Sequence, residues 1–136
     1  HFLEHLDDWL PLMDECSRTL KPGGTARMVV PHWSNPHYFS DPTHRTLFGL
    51  YTFCYIAHYE RFSRKVPTYG KTPSFEIVKI RLVFKTWRGF LISNALLRPF
   101  TYIINTHPRV QEFYELWLAR IFPCYEIDCE LKRRIA

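Results

Sequence analysis

Paired cysteines are the first thing this sequence lacks. Its four thiols, Cys16, Cys54, Cys124 and Cys129, are too few and too unevenly spaced for a disulfide framework, so a reducing, cytoplasmic setting is expected. Cys124 and Cys129 bracket the start of a strand and read as small core residues. No basic stretch followed by an apolar run marks a secretory leader in the residues present, and with no initiator methionine the natural start is expected upstream. Glycine is scarce, at five residues, and the one adjacent pair, Gly23-Gly24, follows a helical segment and precedes a strand. That is the wrong order for a turn that cradles phosphates. The longest apolar stretch, Trp87 to Ile104, carries Asn94, Arg98 and Pro99, which argues against a membrane span. It reads as a helix over the last strands, with a pocket lid or a peripheral membrane contact as the alternatives.

Motifs for nucleic acid and for zinc are also missing. A net charge of +5 with a pI near 9.1 raises the question of a nucleic-acid partner. The basic residues are spread out, however, with short clusters only at Arg61–Lys65 and Lys132–Arg134. Such runs are solvated faces, and no nucleic-acid partner is expected. His32, His37, Asp41 and His44 lie close in sequence, but the pattern H-x4-H-x3-D-x2-H matches none of the usual zinc spacings. No metal site is expected.

What is present is the composition of a packed domain. Hydrophobic residues make up 46% and charged residues 23%, so residues 1–136 are read as one piece of a single domain. Aromatic residues, at 17%, must fill a core, line a pocket or meet a partner surface. A helix is expected from about Asp8 to Leu20, because Trp9, Leu12, Met13, Cys16 and Leu20 share one stripe. Asp7 or Asp8 caps it, Pro11 fits its first turn, and Pro22 with Gly23 or Gly24 ends it. Thr25 to Val30 then reads as a strand inside a parallel sheet, stopped by Pro31.

A loop rich in His, Pro, Asn and Ser runs from Pro31 to Thr43, beyond the carboxyl end of that strand, where open α/β sheets place ligands. Arg45 to Tyr59 reads as a helix, and Phe62 to Ser74 as an exposed connection. Val78, Ile80, Leu82 and Phe84 alternate with Lys79, Arg81, Val83 and Lys85. Tyr125, Ile127, Cys129 and Leu131 alternate with Glu126, Asp128, Glu130 and Lys132. A basic and an acidic outer face suit two adjacent antiparallel strands. Between them, Pro108 to Phe122 reads as a helix burying Val110, Phe113, Tyr114, Trp117, Leu118 and Ile121.

The order of motifs resembles the C-terminal part of the class I, Rossmann-like S-adenosylmethionine-dependent methyltransferases. The opening His1-Phe2-Leu3-Glu4-His5, the turn Leu20-Lys21-Pro22-Gly23-Gly24, Pro31-His32, and Asp41-Pro42-Thr43-His44 carry it. Tyr114-Glu115, Phe122-Pro123, Ile127 and Glu130-Leu131 extend it over nearly the whole chain. The resemblance implies an α/β fold: the C-terminal half of a Rossmann-like domain, with a parallel strand followed by an antiparallel strand pair and inserted helices. It implies a transferase that moves a methyl group from S-adenosylmethionine to a small-molecule, glycan-type or lipid-linked acceptor, at oxygen.

By the same resemblance His1, Phe2, Leu3 and His5 pass beside the cofactor. The family's glycine-rich turn and ribose-binding acid have no counterpart here, so the N-terminal half of the same domain is the missing partner and the piece alone is expected to be inactive. For catalysis the loop offers His32, His37, Asp41 and His44, with His44, oriented by Asp41, as the favoured base. The other reading of Asp41 and His44 is a helix cap that pins the loop. The rival to the enzyme is a non-catalytic binding or assembly module that meets a partner through its aromatic face.

Overall fold

The Asp8 carboxylate accepts a hydrogen bond from the Leu10 amide at 2.9 Å and starts α1, Leu10–Thr19, with Pro11 in its first turn. The computed structural model describes residues 1–67, 69, 72–85 and 91–135. Trp9 and Met13 are buried, with Leu12, Cys16 and Leu20 packed around them, as the stripe predicts. The chain reverses at Gly23, whose φ of +77° a side chain would strain, and Gly23 and Gly24 exchange backbone hydrogen bonds with Arg133.

That turn delivers β1, Thr25–Pro31, to the edge of a mixed four-stranded sheet. The other strands are β2 (Ala57–His58), β3 (Phe75–Val83) and β4 (Glu126–Arg133), and the order across the sheet is β1-β4-β3-β2. Three α-helices complete an α/β fold: α1, α2 (Leu91–Ile104) and α3 (Pro108–Phe113). Among the described residues β1 pairs only with β4, and antiparallel, so the expected parallel setting of this strand is corrected. The parallel strand pair here is the short one between β2 and β3.

The adjacent antiparallel strands read from their charge pattern are present. Lys79 faces Glu130 and Arg81 faces Asp128 across β3 and β4. The Lys85 ammonium lies 2.8 Å from Glu126, and Arg27 of β1 grips Asp128 with two bonds of 2.7 and 2.9 Å. On the other face a bulge between Ile77 and Lys79 moves the alternation by one residue. Phe75, Ile77, Ile80 and Leu82 therefore point inward, while Val78, expected in the core, is exposed. All of Cys54, Cys124 and Cys129 are buried free thiols, and burial pushes Cys54 up to about 12.

Two expected helices differ. Arg45 to Tyr59 forms only a 3-10 turn at Thr52–Tyr55 followed by β2. Its amides are committed elsewhere: Arg45 and Thr46 both donate to the Glu4 carbonyl, Gly49 to the Thr52 hydroxyl, and Leu50 to Glu115. Phe48 makes a lone bridge to His32, and Phe48, Leu50 and Phe53 fill the core. In the second case α3 passes into a π-helical turn, Tyr114–Leu118, where the Ala119 amide reaches back to the Tyr114 carbonyl.

The buried face of α3 and of the turn after it differs from the expected stripe. Tyr114 is inside, but Phe113, Trp117 and Ile121 are exposed, against the stripe expectation. Gln111, Glu112 and Glu115 turn inward instead, each into hydrogen bonds. Gln111 and Asn105 bond the Ile80 carbonyl and the Leu82 amide and carbonyl, and so cap the edge of β3 opposite β4, beyond the reach of the short β2. Of the apolar segment Trp87 to Ile104, α2 is described, whereas Trp87 and Phe90 lie outside the described residues. Among the described residues no helix is long and apolar enough to cross a membrane. Gly70 of the expected exposed connection also lies outside them; Phe62 of that connection is buried, edge-on to Tyr51 and Tyr59.

Candidate functional site

The loop that leaves β1 is fastened to the opening of the chain. The Glu4 carbonyl accepts from Arg45 at 2.7 Å and Thr46 at 3.1 Å, which holds Leu3–His5, a single 3-10 turn, against residues 41–46. Leu3 anchors that turn in the core. As a result His5 and His44, far apart in sequence, lie with ring centres 4.8 Å apart.

Hydrogen bonds fix the Nδ1 proton of both rings. His44 Nδ1 is 2.8 Å from the Tyr38 carbonyl, which can only accept, so Nδ1 carries a proton and, in the neutral ring, Nε2 is the nitrogen with the lone pair. The Thr43 hydroxyl donates to Asp41 at 2.6 Å and therefore accepts from His5 Nδ1, 2.8 Å away. His5 Nε2 is left with its lone pair as well. The Thr43 hydroxyl, and then the Thr43 amide, hold the Asp41 carboxyl below its usual range. The second Asp41 oxygen lies 3.6 Å from His44 Nε2. The orienting group on Nδ1 is thus the Tyr38 carbonyl, and Asp41 faces the other nitrogen.

The other residues singled out in the sequence take different places. His32 is fully buried. The Ser34 amide donates to its Nδ1, so its Nε2 carries the proton and donates to Glu115 at 2.8 Å. Glu115 also accepts from Trp33 Nε1 and the Leu50 amide. Gly49 is required beside it: a Cβ there would stand 2.9 Å from a Glu115 oxygen. His37 is exposed near Tyr125, away from His44. Of the opening residues, His1 bonds Glu126 at 3.1 Å, Leu3 is buried, and Phe2 presents an exposed ring. Phe2 and the outer face of His5 are what the opening offers a ligand.

Glu4, Thr43 and Tyr38 belong to the site and were not singled out in the sequence as functional residues. Glu4 and Thr43 sit inside the two motifs, so the signal was their company; Tyr38 acts through its backbone, which no sequence pattern shows. Away from this group, a cavity of about 510 Å³ is lined by Pro36 of the same loop with Phe84, Leu97, Phe100, Phe122 and Tyr125. A larger one of about 800 Å³ lies against β3 and α2 and is edged by Arg61, Lys79, Arg81 and Arg98. Comparison with known proteins finds nothing to set beside this geometry: no family model, no curated protein and no solved structure matches the chain.

The carboxylates buried around the site make the fold acid-sensitive. Burial raises Glu112, Glu115 and Glu126, but hydrogen bonds outweigh it and hold all three below the usual value: the Ser63 and Arg64 amides on Glu112, His32, Trp33 and Leu50 on Glu115, and His1 and Lys85 on Glu126. A carboxyl depressed in the folded state stabilises the fold above its unfolded pKa, and that contribution is lost as pH falls through the folded value. Denaturant melts at stepped pH should show this contribution intact above about pH 5 and shrinking below about pH 4.

Proposed function

We propose that the chain is the C-terminal part of an S-adenosylmethionine-dependent methyltransferase that acts on a hydroxyl of a small-molecule, glycan-type or lipid-linked acceptor. One observation supports this reading above the others. The two motifs behind the family resemblance, His1-Phe2-Leu3-Glu4-His5 and Asp41-Pro42-Thr43-His44, are hydrogen-bonded to each other at the carboxyl end of β1. The antiparallel β3 and β4 are also in keeping with it.

S-adenosylmethionine, when bound, supplies the methyl group from its sulfonium; Phe2 and His5 are the residues that would border it. His44 Nε2, held as an acceptor by the Tyr38 carbonyl, takes the proton of the acceptor hydroxyl. The resulting imidazolium faces the Asp41 carboxylate, which stabilises it. The apolar recess between Pro36, Leu97 and Phe100 suits the hydrophobic portion of a lipid-linked acceptor, with α2 as its wall.

With only Phe2 and His5 presented to it, the cofactor should bind this chain weakly or not at all. Titration calorimetry with S-adenosylmethionine checks this, and micromolar affinity for residues 1–136 would place the cofactor elsewhere than this reading does. The second reading, a binding module, is favoured by the exposed Phe113, Leu116, Trp117 and Ile121 along one helix face. Methyl transfer by the whole protein, assayed with hydroxyl acceptors and a labelled methyl donor, separates the two.

A further inference from the structure

Glu4, His5 and His44 each present one ligand-type atom, and these atoms all lie within 4.8 Å of one another. We propose that the three residues bind a divalent transition-metal ion, with zinc or ferrous iron as the chemical class. Both histidines are already arranged as ligands are. Each donates its Nδ1 proton to a fixed protein oxygen, His44 to Tyr38 and His5 to Thr43, so that the neutral ring offers Nε2 as its ligand atom. A ligating imidazole is oriented and made more basic by that same kind of outer bond, and Asp41 extends it through the Thr43 hydroxyl.

The carboxylate supplies an independent reason. Glu4 is only 1% exposed, and its Oε2 has no hydrogen-bond partner among the described residues. Buried carboxylate oxygens are ordinarily satisfied, and this carboxylate, with one oxygen unpartnered, lies within reach of both imidazoles. The other oxygen, Oε1, is 3.3 Å from His1 Nδ1 and 3.9 Å from His5 Nε2. Glu4 is also rigidly placed, since its carbonyl is clamped by the Arg45 and Thr46 amides.

Two imidazoles and one carboxylate suit zinc or ferrous iron, whereas calcium and magnesium favour oxygen ligands alone. Three protein ligands leave a position open, and His5, about a third exposed, puts it toward solvent. The spacing escapes sequence patterns because the ligands come from two segments. The site stands on its own, whether or not the chain takes part in methyl transfer.

The test is titration of the chelator-treated chain with Co²⁺ and with Zn²⁺, read by the visible absorption of bound Co²⁺ and by calorimetry. The expected result is one ion per chain. His5→Ala and His44→Ala should each weaken binding by at least the roughly 10- to 100-fold known for losing an outer hydrogen-bond partner, and Thr43→Val by about 10-fold. Glu4→Gln keeps the side chain's shape and serves where an alanine variant fails to fold; its circular dichroism should be unchanged while the rise in melting temperature caused by Zn²⁺ disappears. His58→Ala, at a surface histidine paired with Glu60, should bind as the parent does. Absence of binding by the parent chain, or one-to-one binding that survives in Glu4→Gln and in the His5→Ala/His44→Ala double variant, would overturn the site.

Discussion

On the proposed methyltransferase reading, turnover of the whole protein should fall by about 10² to 10⁴ when His44 is replaced by alanine, with affinity for S-adenosylmethionine nearly unchanged. The reason is the state in which the loop holds this ring. Its Nδ1 proton is committed to the Tyr38 carbonyl, so Nε2 of the neutral ring, beside His5 and Asp41, is the nitrogen able to accept a proton. Asp41, 3.6 Å away, favours the charge that results. A purely structural His44 would behave differently: the variant would lose about 1 kcal/mol of stability, as for one hydrogen bond, and keep its turnover. Single-turnover methyl transfer and melting, measured together, tell these apart. Chelation adds a third comparison. If chelating the parent reproduces the loss, His44 acts as a metal ligand; if chelation leaves turnover intact, it acts as the base.

Glu115→Ala should be the most damaging change to the fold. It removes the common acceptor of His32 Nε2, Trp33 Nε1 and the Leu50 amide, at 2.8, 2.9 and 3.2 Å. A buried donor left without a partner costs about 1 to 3 kcal/mol, and water entering the vacated space recovers part of it, so a loss of about 3 to 5 kcal/mol is expected. Glu115→Gln, which retains one acceptor oxygen, should cost about 1 to 3 kcal/mol. Denaturant unfolding gives both numbers. Equal, small losses would show that the three donors find other partners.

The sequence was most legible where local rules and tertiary structure agree. The stripe of α1, its Asp8 cap, the turn at Gly23 and the pairing of β3 with β4 all follow from period and charge, because each is decided by residues close in sequence or by one face against water. Legibility failed where a non-local bond took over. Gly49 and Leu50, whose amides would bond the Arg45 and Thr46 carbonyls in a helix, give them to the Thr52 hydroxyl and Glu115 instead. The bulge that turned Val78 outward has no residue signature. At the site, His44 and Asp41 could be named from the loop motif, but the partner of His44 Nδ1 is a backbone carbonyl and its neighbour His5 comes from the opening turn. His32 was indistinguishable from them in sequence, since burial and an acid over eighty residues away decide its role.

The usual relation between hydropathy and constraint is inverted in residues 108–121, through α3 and the π-helical turn. There the polar positions Gln111, Glu112 and Glu115 are intolerant of change, each holding strands or loops by several bonds. The apolar positions Phe113, Leu116, Trp117 and Ile121 are each more than half exposed, so folding asks less of them than of the polar positions. Selection that keeps them apolar would point to a contact made by this exposed surface. Variation at these four positions among relatives therefore separates the demands of folding from the demands of whatever this face meets.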